Sequence, residues 1–552
     1  MKHLFATIFI LLSIASVITY VRLPGRGQVP VLRWATEQGE VRVNQKKVFD
    51  RWIARKHGED PARYPLFEVN IDPANNGDGK LIIQGVAGVA ADLYSGSRGA
   101  FRAYQSIGLL DDITDLAHAR GFSPDETYPA LYWEITRNER QYGYPMNVTV
   151  PLYLVNARTF RELGVEPPDN GREWTISEFE AKGREFMAAV DKAGRKRKVF
   201  FFDKFEPLVL RRAFGLGTFN ETGTRCVLDD PRYLHTLQLL HRWTYDYGLL
   251  PTSGEAEALV GGVGRQFCKG GYGMWYEGSW CLEGIRPRED RLDEVEDKGA
   301  RAKRFTLHDF RPGDLLGVPP PRADGQEGIT NTILRARICS VYAGGKHRAE
   351  GARFLEFLAS DDYARQLIVE PDSLPPNPHM IDPANPDSAL FYRPNRRIPA
   401  MGDRNVLDYE WPVNPVFEKA AWEWAVGTNY SEFVLPNVAS RIETDAYKDF
   451  IAGSMTAEQA SQRITMAINA EIVRTIAANP LLQKRYEELV ARQAQITAYR
   501  GAGRKVPVGW LEDPFYQRYW LRRGWAEGAS RIDVPAEQRY VHFRQPAAGG
   551  VR

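Results

Sequence analysis

From residue 31 to about residue 108, segments with the apolar pattern of a strand alternate with segments that have the apolar pattern of a helix. The stretch VLRWAT (31–36) has the pattern of a short strand, and QKKVFDRWIARKHG (45–58) places Val48, Phe49, Trp52 and Ile53 on one helical stripe. LFEVNID (66–72) then alternates with strand period. Strand, helix and strand at this spacing form a βαβ unit, which implies a parallel sheet. The pattern repeats to about residue 108, so the sequence predicts a doubly wound α/β domain.

Several later helices have clear start signals. Thr175 and Glu178 have the spacing of a capping box, and so do Thr456 and Gln459. Asp230 precedes a proline and an apolar helical pattern, which predicts a helix N-cap. These signals predict structure and carry no chemistry of their own.

Three further segments have less regular patterns. Residues 347–368 have the apolar spacing of one helix, and residues 371–436, rich in Pro and Asn, predict extended loop over the surface. Beyond about residue 500, Arg is mixed with Trp and Tyr without a clear period. A packed strap, a partner surface and a partly disordered extension all remain open, and the aromatic content favours the strap.

The N-terminus has the pattern of an export segment. Lys2 and His3 precede an uncharged apolar run from Leu4 to Val21, and Arg22 follows it. This order is typical of an export signal, and the run is also long enough to span a bilayer if it is never removed. We expect an exported protein, with cleavage left open.

Composition narrows the class of protein. A chain of 552 residues suggests two to four domains. The balance of 72 basic and 70 acidic residues argues against a protein that coats nucleic acid. The 4 cysteines lie in mid-chain without C-x-x-C spacing, so core thiols and one or two disulfides both remain open.

The sequence lacks the motifs of the common enzyme classes. It contains no H-E-x-x-H, no G-x-S-x-G, no phosphate-binding loop and no complete G-x-G-x-x-G. His235 and His241 share a predicted helix, but their spacing does not place both on one metal ion. The sequence therefore predicts no catalytic residue, no metal site and no cofactor.

The stretch FCKGGYGMWYEGSW (267–280) leads to a known family. Its Phe267, Gly270, Met274, Gly278 and Trp280 match the recurring positions of a family pattern, F..GkaAM...G.W. YGYPMNVTVPLYLVNARTFRELGVEPP, NETGTRCVLDDPRYLHTLQLL and GARFLEFLASDDYARQLIVEPDSLPP resemble other segments of that family, in the family's order. Together, over roughly residues 30–475, the chain resembles the extracellular solute-binding proteins of ABC transporters, family 1, the group that contains maltose-binding protein. The tail after residue 500 has no counterpart there.

The resemblance implies an α/β, two-lobed periplasmic-binding-protein-like fold of class II. Each lobe is then a doubly wound sheet with flanking helices, and a hinge with chain crossings near residues 146, 319 and 372 lies between the lobes. The expected segments are 1–27 (signal peptide or membrane anchor), 28–146 (lobe I), 147–319 (lobe II), 320–372 (return to lobe I), 373–500 (return to lobe II and hinge helices) and 501–552 (C-terminal extension).

A carbohydrate cleft needs aromatic faces for C–H surfaces and polar groups for hydroxyls. In such a fold the loops at the carboxyl ends of the strands carry these groups. The candidate ligand-binding residues are Trp34, Glu37, Ser95, Ser97, Arg98, Asn147, Tyr276, Glu277, Trp280, Asn331 and Thr332. Trp34, Met274 and Trp275 also fit a core role, whereas Trp280 follows two small residues and is expected to present an accessible ring.

The implied function is capture of a sugar, oligosaccharide or related polyol in the periplasm or at the outer face of the inner membrane. The expected partners are the transmembrane subunits of an ABC permease, with no nucleic acid, and the expected state is a monomer. Two alternatives remain: an exported carbohydrate-active enzyme, and a sensory binding protein that has lost transport.

Overall fold

The structure, a computed structural model, describes residues 29–75, 78–96, 98–195, 198–259, 262–282, 313–370, 372–392, 412–428 and 431–544. Within these ranges the strands are β1 (Val31–Ala35), β2 (Glu68–Ile71), β3 (Leu93–Gly96), β4 (Thr136–Arg137), β5 (Arg140–Gln141), β6 (Tyr144–Thr149), β7 (Leu152–Asn156), β8 (Phe200–Phe202), β9 (Tyr272–Glu277), β10 (Leu315–Val318), β11 (Thr332–Val341), β12 (Ala425–Gly427), β13 (Val506–Pro507) and β14 (Ala526–Glu527). The helices are α1 (Glu40–Glu59), α2 (Asp78–Val86), α3 (Arg98–Ser106), α4 (Thr114–Arg120), α5 (Tyr132–Ile135), α6 (Ala157–Glu162), α7 (Ile176–Lys192), α8 (Pro207–Ala213), α9 (Pro231–His241), α10 (Ser253–Ala258), α11 (Val263–Cys268), α12 (Arg348–Leu358), α13 (Asp361–Val369), α14 (Ala389–Tyr392), α15 (Asn414–Glu423), α16 (Pro436–Ile451), α17 (Ala457–Ala477), α18 (Pro480–Gly501), α19 (Pro514–Arg522) and α20 (Val541–Arg544).

The first sheet has six strands in the order β12-β11-β3-β1-β2, with β6 paired to β11. β1 is parallel to both β2 and β3, because helices return the chain between these strands. The predicted stripe of α1, formed by Val48, Phe49, Trp52 and Ile53, is buried in the core of this sheet. The predicted doubly wound start of the chain is confirmed.

The second sheet has four strands in the order β10-β7-β9-β8, of which β8 and β9 are parallel. Phe179 and Phe186 of α7 are buried among its apolar side chains. α7 begins at the predicted capping box, since Thr175 and Glu178 bond each other's backbone N–H. The second predicted capping box, Thr456 with Gln459, likewise opens α17.

Three segments connect the two sheets. β6 leads directly into β7, and after β10 the chain returns as β11, a strand of 10 residues. β11 pairs with β12 at its start, with β6 in its middle and with β3 at its end. At the third segment, Leu374 exchanges backbone hydrogen bonds with Val148 of β6. The molecule has two α/β lobes, the first on β1, β2 and β3 with the end of β11 and the second on the four-stranded sheet, which is the expected fold class.

Two predicted segments differ in the structure. The single helix expected over 347–368 is two helices, α12 and α13, because the Ser360 hydroxyl accepts a hydrogen bond from the backbone N–H of Tyr363 and caps the second one. The described part of 371–436 contains α14, α15 and β12 instead of extended loop alone. Pro415 lies in the first turn of α15, where proline supports a helix start.

The C-terminal segment adopts the packed-strap alternative through residue 544. Phe515, Tyr516, Tyr519 and Trp520 of α19 are buried, and the Tyr516 hydroxyl donates to the carbonyl of Phe219 in the second lobe. Further along, Arg531 forms an ion pair with Asp125 of the first lobe. The strap therefore contacts both lobes.

Two other expectations concern thiols and the membrane. All four cysteines are buried and unpaired, which selects the core-thiol alternative.

The apolar run 4–21 lies outside the described residues. None of the helices in the described ranges combines the length and the apolar content that crossing a membrane takes.

Candidate ligand-binding site between the lobes

The middle of β11 carries two arginines that are exposed or half-exposed. The side chain of Arg335 is 50% exposed and that of Arg337 is 34% exposed, whereas both ends of the strand are buried. Residues two apart in a strand face the same side of a sheet. Thr149 and Asn147 of β6 lie opposite these arginines, so four polar side chains share one face at the crossing between the lobes.

The first lobe meets this face through Glu37, in the loop after β1. Arg337 forms an ion pair with Glu37, and Arg42 of α1 binds the same carboxylate at 2.9 Å. Arg42 also reaches Asp372 at 2.8 Å, and the Asn147 amide donates to that carboxylate at 3.3 Å. The network ties the end of β1 and the third connection to the two hinge strands, β6 and β11.

Glu37 and Arg42 of this network are held in their ionised forms. Burial raises the pKa of Glu37, but the neighbouring Arg42 and Arg337 outweigh it and hold the pKa at about 2. Burial lowers the pKa of Arg42, and the Asp372 carboxylate more than reverses this, leaving the pKa above its ordinary value. The first-lobe side therefore presents permanent charges that can bind hydroxyl groups.

The second lobe meets the same face through the loops after β8 and β9. Glu206 lies 2.9 Å from Arg335, and Lys204 lies 3.5 Å from Glu277 at the end of β9. Because β8 and β9 are parallel, their carboxyl ends share one edge of the second sheet. The exposed side of β11 thus lies between the carboxyl ends of β1 and of β8 and β9, where open α/β sheets bind ligands. We call this region, formed by Glu37, Asn147, Glu206, Glu277, Trp280, Arg335 and Arg337, the interlobe face.

Asp203, directly after β8, has an unusual environment beside this face. One carboxylate oxygen accepts a hydrogen bond from the Tyr276 backbone N–H at 2.7 Å, while Oδ2 has no protein partner. Burial raises the pKa of Asp203 to about 7, although Lys204 and backbone hydrogen bonds oppose the shift. A carboxyl group that exchanges its proton near neutral pH therefore lies next to the charged pairs.

Glycines bring β9 and Trp280 to the hinge strands. Gly270 has a φ of +71°, which favours glycine in the turn before β9. At the other end of the strand, a Cβ on Gly278 would lie 2.2 Å from Thr149 Cγ2 of β6. Trp280 follows with 46% of its surface exposed, whereas Met274 and Trp275 are buried. The expected accessibility of Trp280 is confirmed.

Several of the other predicted site residues lie below the surface. The Trp34 indole donates to the Ser95 hydroxyl at 2.6 Å, and both residues are buried in the first lobe. The hydroxyl oxygens of Tyr276 and Thr332 are 3.2 Å apart in the buried start of β11. These four side chains are therefore buried below the surface of the site in this conformation.

The remaining predicted residues divide into three cases. Asn331 is buried and donates to the Val209 carbonyl at 3.2 Å. Arg98 begins α3, at the carboxyl end of β3, and Ser97 lies outside the described residues. Glu37, Asn147, Glu277 and Trp280 belong to the interlobe face. Direct contact with a solute stays a prediction for all of them.

Sequence reasoning missed the arginine pairs of this site. Arg335 and Arg337 interrupt an apolar strand in TILRARICSV, and charged residues two apart in such a strand are a signal of one solvated face. Arg42, Glu206 and Asp372 carry no comparable signal, because only the pairing of distant segments brings them to β11. Among the described residues, no group of three or more His, Cys, Asp or Glu side chains is arranged to hold a metal ion.

The molecule has the fold of the solute-binding proteins of ABC transporters. Its two α/β lobes are joined by antiparallel hinge strands, and a charged face lies between them. An ABC substrate-binding protein from Listeria monocytogenes, solved in complex with cycloalternan, matches with a TM-score of 0.58 and 16% identity, over 82% of this chain and 100% of that chain. The sugar-binding protein MalE from Xanthomonas citri matches with a TM-score of 0.57 and 14% identity, over 80% of this chain and 98% of that chain. UgpB from Mycobacterium tuberculosis, in complex with glycerophosphocholine, matches with a TM-score of 0.58 and 14% identity, over 82% of this chain and 100% of that chain.

Sequence comparison adds nothing to these structural likenesses. No protein-family model matches the chain, and no curated protein matches it. At these identities the likeness shows the fold.

Proposed function

We propose that the protein is an extracytoplasmic solute-binding protein of an ABC importer. It captures a carbohydrate, which we take to be a sugar, oligosaccharide or related polyol, between its two lobes and passes it to the transmembrane subunits of a permease. Solved proteins of the same fold are described as binding cycloalternan and as sugar-binding, which supports this class of ligand. Binding requires no covalent chemistry, because closure of the lobes about the hinge strands is enough to hold and release a solute.

The observation that carries the proposal is the composition of the interlobe face. Charged pairs from both lobes border the exposed side of β11, next to the exposed ring of Trp280. Sugars present hydroxyls, which such charges bind, and patches of C–H, which an aromatic face covers. We assign hydroxyl binding to Glu37, Glu277, Arg335 and Arg337, and stacking to Trp280.

The proposed lobes and location follow the sequence expectations. We propose that lobe I comprises residues 28–146 and 320–372, that lobe II comprises 147–319 and 373–500, and that the hinge lies near 146, 319 and 372. The apolar run 4–21 supports export and retention at the outer face of the inner membrane. A monomer accounts for the proposed capture, since both walls of the interlobe face come from one chain.

A thermal-shift screen of sugars and polyols, repeated with Trp280→Ala, tests this function. We expect at least one sugar to raise the unfolding temperature of the wild type, and the variant to bind it about tenfold more weakly because the stacking surface is lost. Trp510→Ala, which removes a ring packed on Tyr499 in the strap, is the matched control and should keep the wild-type affinity.

Two results would contradict the proposal. An unchanged affinity of Trp280→Ala for every sugar that binds would remove the stacking role. Release of a cleaved or modified sugar after incubation with the purified protein would favour the exported carbohydrate-active enzyme instead.

A further inference from the structure

Exposed apolar side chains are concentrated at one end of the first lobe. Seven of the sixteen large apolar residues that are exposed in the described ranges lie there: Val29 (37% exposed), Val31 (42%), Leu66 (41%), Ile83 (72%), Val86 (76%), Val89 (58%) and Ile107 (48%). We call these seven residues the apolar pole. Isolated exposed apolar residues are normal, but a cluster of them marks a surface that contacts something.

Topology places these residues at the same edge of the sheet. β1, β2 and β3 are parallel, so Val31, Leu66 and Val89, which lie at or just before the strand starts, share the amino edge. α2 and α3 run back to this edge and bring Val86 and Ile107 to it. Ile83 lies three residues before Val86, on the same helical face.

Two contacts join segments of this edge to each other. The Arg33 guanidinium on β1 donates to the Val89 carbonyl at 3.0 Å and to the Ala90 carbonyl at 2.5 Å. The Leu109 side chain lies 2.6 Å from the Cβ position of Gly85 in α2, which joins the loop after α3 to α2. β11 also ends at this edge and places the exposed Lys346 beside it.

The chain approaches this pole from its N-terminal apolar run. The run 4–21 is long enough to span a bilayer, and the described residues begin at residue 29, two residues before the start of β1. The seven residues 22–28 between them span at most about 25 Å when fully extended. An anchored chain therefore holds the pole close to the membrane surface.

We propose that residues 4–21 remain in the membrane and that the apolar pole rests on the outer surface of the bilayer. Its apolar side chains enter the region of the headgroups, and Lys346 adds attraction to anionic lipid. The pole is at the amino edge of the first sheet, whereas the interlobe face is at the carboxyl edge. Lipid contact thus leaves the binding site accessible to solute, and the inference does not depend on which solute binds.

The test uses the full chain in vesicles of phosphatidylcholine and phosphatidylglycerol. A fluorophore is attached through Val86→Cys or, as the control, through Val473→Cys in α17, a helical valine that is 65% exposed. The native thiols do not compete, since all four are buried and burial raises the pKa of Cys226, Cys268 and Cys339 to about 12. We expect a nitroxide carried on the lipid to quench the label at position 86 several-fold more than the label at position 473, and aqueous iodide to do the reverse.

A second pair of variants separates lipid contact from effects of the label. Ile83→Asp should reduce the lipid quenching at position 86, because it places a charge in the pole. Met466→Asp, at a position with the same 72% exposure in α17, should leave the quenching unchanged.

Three outcomes would overturn the proposal. One is equal access of iodide to both labels, and another is protection of position 86 from iodide without lipid quenching, which would indicate a protein partner or a second copy. The third is a mass for the membrane-derived protein that lacks the N-terminal segment. Sugar binding by the same preparation is measured separately, so failure here is distinguishable from failure of the proposed function.

Discussion

Asp203 keeps its proton at a pH where most carboxyl groups have lost theirs. The residue is 8% exposed, and burial disfavours its charged form more strongly than Lys204 and two backbone N–H groups favour it. Its nearest charged pair, Lys204 with Glu277, borders the interlobe face. Protonation of one buried carboxyl therefore links the stability of the second lobe to pH.

The sign of this effect follows from the direction of the pKa shift. The pKa in the folded protein, about 7, lies above that of an unfolded aspartate. The contribution of Asp203 to stability is therefore fully present below about pH 4 and is lost as the pH rises through 7. Asp203→Asn stays neutral, so its free energy of unfolding should fall less between pH 4 and pH 8, by up to roughly 4 kcal/mol.

Urea unfolding at a series of pH values measures this difference. Asp246→Asn, which alters an exposed carboxylate in the same lobe, should reproduce the wild-type dependence. If the free energy of unfolding depends on pH in the same way for Asp203→Asn and for the wild type, the buried carboxyl is ionised at neutral pH.

At the scale of elements, the approach of β9 to β6 sets the position of Trp280. Gly278 has φ −81° and ψ 169°, a conformation that any residue adopts, so its backbone does not require glycine. Glycine is required here because there is no space for a side chain: a Cβ would lie 2.2 Å from Thr149 Cγ2. Two strands from different sheets meet at this point without room for a methyl group.

Gly278→Ala should therefore move the end of β9 away from β6. We expect a loss of stability of about 1–3 kcal/mol from overpacking, together with weaker sugar binding because Trp280 moves with the strand. Differential scanning calorimetry and titration with a sugar that binds the wild type measure both effects. Gly254→Ala in α10, where nothing lies within 4 Å of the Cβ position, should change neither; a tolerated Gly278→Ala would show that the contact is not tight.

Elements of this fold were predictable wherever the signal is local. The capping boxes at Thr175 and Thr456 and the apolar stripe of α1 depend on residues a few positions apart, and the structure has them as expected. The break at Ser360 was missed because the apolar period continues across it. The arginine pairs of the interlobe face were missed for a different reason: β11 joins segments hundreds of residues apart, and no periodicity encodes such a contact.

At the scale of the whole molecule, the strap joins parts of the fold that the two sheets leave separate. Arg518 of α19 is 2% exposed and donates to the carbonyls of Trp422, Ala425 and Ile532, at 3.2, 2.8 and 2.8 Å. Its guanidinium thus binds the strap to the end of α15 and to β12. A single side chain satisfies three buried carbonyl groups.

Arg518→Met should destabilise the whole protein. Methionine fills part of the space but leaves those carbonyls without partners, which costs roughly 3 kcal/mol. Chemical unfolding followed by tryptophan fluorescence measures the change. Arg522→Met in the same helix, at a side chain that is 38% exposed, should cost much less; equal effects of both substitutions would remove the special role of Arg518.

The position of β12 at the end of the six-stranded sheet has a consequence for self-association. The carbonyls of Ala425 and Gly427 are already occupied by Arg518 and by Arg212, the latter at 3.0 Å. An outermost strand with free backbone groups invites pairing with another molecule. The contact to Ala425 comes from the C-terminal strap, and the contact to Gly427 comes from α8 of the second lobe. A chain that ended after α18 would lose the first contact, and the outer side of β12 would then be more open to pairing with another copy.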